Sequence, residues 1–310
     1  MSTTEPAVPP GRGTPRRPAG GPATVVTPAV LRGWPLPPPG EDKHARGQLL
    51  VVGGDESTPG AVRLAGEAAL RAGAGKLQIA TAAGHAPTLA VAVPEAAVHG
   101  LEVAAAGRLD PSAVGEVVAL ADRVDVLLLG SGFSDVAASV RLLEALLPRV
   151  TASTVLDALA SAYLTEHPRG LLHLDSRAVL CVNPTELART AHREDREVQA
   201  DPLGTAREVA ARSGVVVLCG GSEKHVADPD GRGWVVQGGG PGLGVSGSGD
   251  VQAGIVAGLL ARGAEPAQAA VWGAQLHARA GERLAHEVGT VGYLAREIPA
   301  QVPAALAEIG

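Results

Sequence analysis

The residues of this chain best suited to chemistry lie in one glycine-rich stretch, Gly238-Gly239-Gly240-Pro241-Gly242-Leu243-Gly244-Val245-Ser246-Gly247-Ser248-Gly249-Asp250. Glycine opens backbone angles closed to other residues and lets a ligand approach the main chain. Val251, Ile255, Val256, Leu259 and Leu260 follow at helical spacing, which predicts a helix with one buried face. Gly247, Ser248 and Gly249 then sit at a helix N-terminus, where free N–H groups and the helix dipole attract anions. Asp250 falls in the first turn. It reads there either as a capping carboxylate or as a base held beside a phosphate, and the loop alone does not decide. The stretch is not a Walker loop, because the Gly-Lys-Ser/Thr ending is missing, and it lacks the Gly-x-Gly-x-x-Gly spacing after a strand.

The elements that must position this loop form an alternation. Apolar runs predict strands at Gln48–Val52, Leu77–Thr81, Val124–Leu129, Thr154–Asp157, Ala178–Val182 and Val215–Leu218. Helices are expected over Pro59–Ala72, Leu109–Ala121, Val136–Leu147 and Pro202–Arg212, with another opening at Pro184. Lys224–Ala227 and Trp234–Val236 read as hairpin arms around the Asp228-Pro229-Asp230-Gly231 turn, and two helices close the chain. Strands alternating with helices predict an α/β fold whose mostly parallel sheet is covered on both faces. Ligands of such sheets sit beyond the carboxyl ends of the strands. Those ends carry Gly53-Gly54, Gly130-Ser131-Gly132, Asp157, Asn183, Gly220-Gly221 and the loop before Asp250. Each alone has an ordinary reading as a turn or a helix cap. Together on one edge they are better explained by a site for a bulky phosphate ligand. The histidines are scattered, His277 reads as a packed or surface residue, and no Gly-x-Ser-x-Gly turn supports hydrolase chemistry.

Composition narrows the class. With 45% hydrophobic but only 2% aromatic residues among 310, the core must be aliphatic, and a net charge of −6 argues against a nucleic-acid surface. No apolar run is long enough to span a bilayer. Cys181 and Cys219 lie at strand ends and read as buried thiols in a reducing cytoplasm. Residues 1–23 are expected to be a disordered, Pro-rich tail and 24–310 one domain, with Thr27–Trp34 docking on it.

With these residues in place the chain resembles the NAD(P)H-hydrate dehydratases, a branch of the ribokinase-like superfamily, from about Thr27 onward. The strongest match is Gly240 to Gly254, which looks like the Gly-Thr-Gly-Asp motif of the superfamily. Lys43–Gly54, Pro59-Gly60-Ala61, Ala72–Gly75, Pro94-Glu95-Ala96, Gly130-Ser131-Gly132 and His277–Gly281 make the set specific to this branch. The resemblance implies a ribokinase-like three-layer sandwich. It also implies a metabolite-repair reaction: removal, as water, of the extra ring hydroxyl of the S-form of NADH or NADPH hydrate, driven by ADP or ATP with Mg2+. Asp250 would deprotonate the hydroxyl, and the Gly247–Gly249 amides would face the transferred phosphoryl. Substrate contacts carry over to Ala61, Gly132, Asn183 and Asp250, and nucleotide contacts to Gly220, Gly221, Ser222, Lys224, Gly247 and Gly249. It further implies a cytoplasmic homo-oligomer, a tetramer, acting without membrane or nucleic acid and alongside a separate NAD(P)H-hydrate epimerase.

Four departures stand out. The family's Asp-Ala-Asp-Ala-Leu is shortened here to Asp157-Ala158-Leu159. Asn183 replaces the family's substrate-contacting His; it offers an amide but takes no charge. Asn183-Pro184-Thr185-Glu186 also fits the Asn-x-x-Glu pattern with which superfamily kinases order Mg2+ through water, which makes Glu186 a candidate metal contact. The family's nucleotide-loop Lys falls on Gly220 and its Thr on Lys224. A small-molecule kinase for a vitamin precursor, or a catalytically weak nucleotide-binding protein, are the alternative readings.

Overall fold

The computed structural model describes residues 20–104 and 106–310. Most of the expected Pro-rich tail lies outside the described residues. Among the described residues ten strands form one sheet: β1 (Thr24–Val25), β2 (Gln48–Val52), β3 (Lys76–Ala82), β4 (Ala96–Leu101), β5 (Val126–Leu129), β6 (Ser153–Asp157), β7 (Ala178–Val182), β8 (Val216–Cys219), β9 (Lys224–Ala227) and β10 (Gly233–Val236). Their spatial order is β1-β10-β9-β8-β7-β6-β5-β2-β3-β4. Only β9 runs against its neighbours; the other pairs are parallel.

The helices are α1 (Pro28–Arg32), α2 (Gly60–Ala72), α3 (Ala86–Ala92), α4 (Val114–Ala121), α5 (Val136–Leu146), α6 (Ser161–Glu166), α7 (Pro184–Ala191), α8 (Asp195–Ala200), α9 (Pro202–Ser213), α10 (Ser248–Ala261), α11 (Pro266–Glu287) and α12 (Ile298–Ile309). Side chains alternate across a strand, so β2 sends Leu49 and Val51 into one core and Leu50 and Val52 into another. The first core packs the sheet against α2, α10, α11 and α12; the second packs it against α4, α5, α6, α7 and α9. This is the three-layer sandwich expected.

Three expectations need correction. The chain closes with three helices rather than two, because Pro299 and Pro303 lie inside α12 instead of ending it. The helix expected from Leu109 begins as a 3-10 turn at Pro111, while Leu109 bridges back to Val103. Finally, α10 has no solvent face: Ser248 and every residue from Val251 to Ala261 are buried.

Helix α10 holds this central place through two glycines. A Cβ at Gly254 would overlap the carbonyl oxygen of Ala65, and one at Gly258 that of Ala69, both on α2. Removing the side chain lets the helix backbones meet. The N-terminal arm docks as expected. Thr27 caps α1, Trp34 stacks on Trp234 with ring centroids 5.7 Å apart, and Trp272 Nε1 donates to the Trp34 carbonyl at 2.9 Å.

Candidate active site

The carboxyl ends of β6, β7 and β8 open into one cavity of about 870 Å³, closed on the far side by the Gly238–Asp250 loop. Asp157 reaches it from the last position of β6, and Asn183 and Glu186 from the start of α7. Gly220, Gly221, Ser222 and Lys224 come from the turn into β9, and Gly247, Ser248, Gly249 and Asp250 from the first turn of α10. All the expected nucleotide contacts are therefore brought together. Ala61 and Gly132 are not in that wall. They sit against each other, with a Cβ at Gly132 falling 3.0 Å from that of Ala61, while the neighbouring Ser131 joins the cavity floor through Asp157. Asp55, buried beyond β2, fixes this region by accepting from Leu109 N at 3.0 Å and Ser134 N at 2.8 Å.

The start of α10 places Asp250 at the cavity. The N-cap is Gly247, at φ +90°, and it makes no side-chain cap bond. Asp250 lies three residues on, its carboxyl in the cavity wall. Burial pushes its carboxyl up to about 6, against the opposing hydrogen bonds from Ser131 and Asp157. At neutral pH it is a carboxylate, and a stronger base than an exposed one.

Asn183 and Glu186 are tied to each other. Glu186 N donates to Asn183 Oδ1 and Asn183 N to Glu186 Oε2, both at 2.9 Å, a reciprocal capping box for α7. One Glu186 oxygen is thus occupied, and the Asn183 side chain keeps its amide donors. Asn183→Ala should cost about 1 kcal/mol of stability through the lost cap, read as a lower urea midpoint at unchanged m-value.

Lys224 is 3% exposed, and burial lowers its ammonium to about 8, with Glu282 opposing. His277 is buried as the sequence suggested, yet it also lines the cavity, its Nε2 3.0 Å from Ser248 Oγ. Burial first, then the Lys224 charge, hold it down at about 3, so the ring is neutral. Its Nδ1 and the Gln252 Nε2 beside the cavity have no partner among the described residues. Sequence reasoning passed over Gln252, named Ser248 only as part of the helix start and took His277 for a packed or surface residue, because their involvement depends on α11 crossing α10. It noted Asp157 as a polar strand end, a possible helix cap and part of a shortened family stretch.

A family model described as NAD(P)H-hydrate dehydratase matches residues 49–304. The chain is 44% identical over 289 residues to the ADP-dependent (S)-NAD(P)H-hydrate dehydratase of Xanthomonas campestris pv. campestris, covering 91% of this chain and 96% of that one. It is 36% identical over 256 residues to the bifunctional NAD(P)H-hydrate repair enzyme of Moorella thermoacetica, covering 83% of this chain and 48% of the relative. The chain thus spans about half the length of that bifunctional relative. Among solved structures, the ADP/ATP-dependent NAD(P)H-hydrate dehydratase from Bacillus subtilis, co-crystallized with ATP/Mg2+, shares the fold. Its TM-score is 0.76 at 23% identity, over 93% of this chain and 99% of that one.

Proposed function

The chain belongs to the NAD(P)H-hydrate dehydratase family, and from that premise we propose which of its atoms carry the reaction, the nucleotide-driven dehydration of the S-form of NAD(P)H hydrate. The single observation behind the assignment is Asp250 itself, in the first turn of α10 and lining the cavity beside the Gly247 and Gly249 amides. The Asp250 carboxylate takes the proton of the ring hydroxyl as that oxygen bonds to the terminal phosphorus. The bridging P–O bond breaks, and its electrons leave with the shortened nucleotide. The Gly247 and Gly249 amides donate to the phosphoryl oxygens as negative charge moves onto them, while the Ser248 amide is already given to the Val245 carbonyl at 3.1 Å. Inorganic phosphate then departs with the C–O bonding pair, and a proton lost from the adjacent carbon restores the double bond.

Lys224 faces the same cavity and pairs with the nucleotide phosphates in this reading, together with Gly220, Gly221 and Ser222. Asn183 offers its free amide to the substrate, and Ala61 and Gly132 border the substrate end near Ser131. The oxygen donors lining the cavity suit Mg2+, which binds through one or two carboxylates, phosphates and water. Among the described residues no group of three or more His, Cys, Asp and Glu could hold a metal by protein ligands alone. Glu186 would hold it through water, with the oxygen its cap leaves free. Mg2+ would supply charge neutralisation on the phosphates.

Incubation with S-form hydrate, Mg2+ and ADP or ATP is expected to restore the absorbance of the reduced nicotinamide. No recovery with either nucleotide overturns the reading, and a phosphorylated product that persists without elimination selects the kinase instead. The pH profile of kcat/KM should be bell-shaped. Asp250 works ionised, so activity rises as pH rises through about 6. Lys224 works charged, so activity falls as pH rises through about 8. A flat profile between those values and beyond them would count against both roles.

The buried free thiols of Cys181 and Cys219 fit a reducing cytoplasm. The bifunctional relative supports action beside an epimerase. A homo-oligomer, read as a tetramer, belongs to the same proposal, to be measured by light scattering.

A further inference from the structure

The run from Val251 to Ala261 is buried throughout, and Gln252 is its one polar side chain. A carboxamide taken out of water without a partner costs free energy, so buried amides normally find one. This one does not. Gln252 is 7% exposed and lines the cavity, yet its Nε2 has no partner among the described residues. Acceptors in the same wall are engaged elsewhere: Asp157 Oδ2 by the Ser131 hydroxyl and Asn183 Oδ1 by the Glu186 N–H.

The other atom of the carboxamide shows whose place it takes. A Cβ at Gly220 would lie 3.4 Å from Gln252 Oε1, an ordinary van der Waals contact. Position 220 is where the family resemblance puts the nucleotide-loop lysine, and here it is bare. The Gly220 backbone is not left-handed, so its conformation does not demand glycine. The head of Gln252 stands in the corner of the cavity where a side chain from position 220 would begin.

We propose that Gln252 supplies the donor that position 220 lacks, giving its side-chain amide to a phosphate oxygen of the bound adenine nucleotide. A phosphate chain is a run of anionic acceptors, and a donor meeting one makes a charge-assisted bond. Lys224 then brings charge to the chain from β9, and Gln252 a neutral donor from α10. The inference deepens the proposed function and rests on it for the nucleotide's place in this cavity.

Three variants, titrated calorimetrically with ADP and Mg2+, test it. Gln252→Leu nearly keeps the volume and removes the amide. It should bind ADP about tenfold more weakly and melt at the wild-type temperature or higher, since an unpartnered buried amide is gone. Gln252→Glu keeps the shape but sets an anion against the phosphates, so it should bind ADP more weakly still. Gly220→Lys added to Gln252→Leu returns a donor from the other side of the same corner and should recover most of the lost affinity. Unchanged ADP affinity in Gln252→Leu overturns the proposal. So does a Gln252→Glu variant that binds as well as wild type, because the side chain would then be accepting from base or ribose. A double variant that melts like wild type but stays as weak as Gln252→Leu also overturns it; if the double variant does not fold, the first two decide. None of these titrations needs turnover. A wild type that binds ADP but leaves the hydrate untouched fails the proposed reaction, while the part played by Gln252 is still read.

Discussion

Asp250→Asn is expected to lower kcat by about 10²- to 10⁴-fold, the range that a well-placed general base contributes. Asparagine has nearly the same shape and still fits beside Ser131, so the Gly247–Gly249 amides keep their positions. Nucleotide affinity, read by titration calorimetry, should therefore stay within a few-fold of wild type. The loss should appear in kcat, since the interaction removed is one made with the moving proton. Stability should move the other way. Burial holds the folded Asp250 at about 6, above the ordinary 3.8. An acid raised on folding costs stability once pH passes its unfolded value. At pH 7 the neutral amide removes that cost, so the variant should melt at the same temperature as wild type or higher. Full activity in this variant would end the assignment of Asp250 as base.

Gly254→Val is expected to produce the largest structural defect, a loss of about 3 to 5 kcal/mol, the range reserved for severe overpacking. The new Cβ would meet the Ala65 carbonyl of α2, and a backbone atom in a helix cannot swing aside. Thermal melting should show a drop of about 10 °C, with activity falling in parallel because α10 carries the site at its own N-terminus. Gly115→Ala is the control. It lies within α4, a Cβ there meets nothing within 4 Å, and the exchange should raise stability by a few tenths of a kcal/mol to about 1. Equal behaviour of the two variants would mean that α10 and α2 do not approach as described.

Most of the architecture was legible because parallel strands buried on both faces read as unbroken aliphatic runs. Leu49–Val52, Val126–Leu129 and Val179–Val182 have that form. Edge β4 does not: Ala96–Leu101 includes His99 and Gly100 and is only partly buried. Strand β1 is two residues long, below any periodicity. Pro299 and Pro303 disguised α12, since proline in sequence usually ends a helix; here the first sits at N2. In the site, backbone signals were readable and side-chain partnerships were not. Glycines before an apolar helix mark a place where an anion can meet main-chain N–H groups. The Ser131–Asp157 bond joins two segments far apart in sequence, and Asp250 comes to the same cavity from a third, so only the fold brings them together. The Asn183–Glu186 pair was ambiguous for a local reason: the same three-residue spacing makes a capping box and a metal-ordering motif, and here the cap uses one of the two oxygens.

The position of β1 has a consequence for how the molecule is born. Among the described residues this strand comes first in the chain, yet its sheet partner there is β10, and the Trp34 carbonyl waits on Gln268 and Trp272 of α11. The segment that carries β1 thus has nowhere to dock until β10 and α11 have been made. Its docking is a clasp fastened last, after β2 to β10 have found one another. A nascent chain stalled before α11 should leave that arm open to a protease, and the completed chain should hide it.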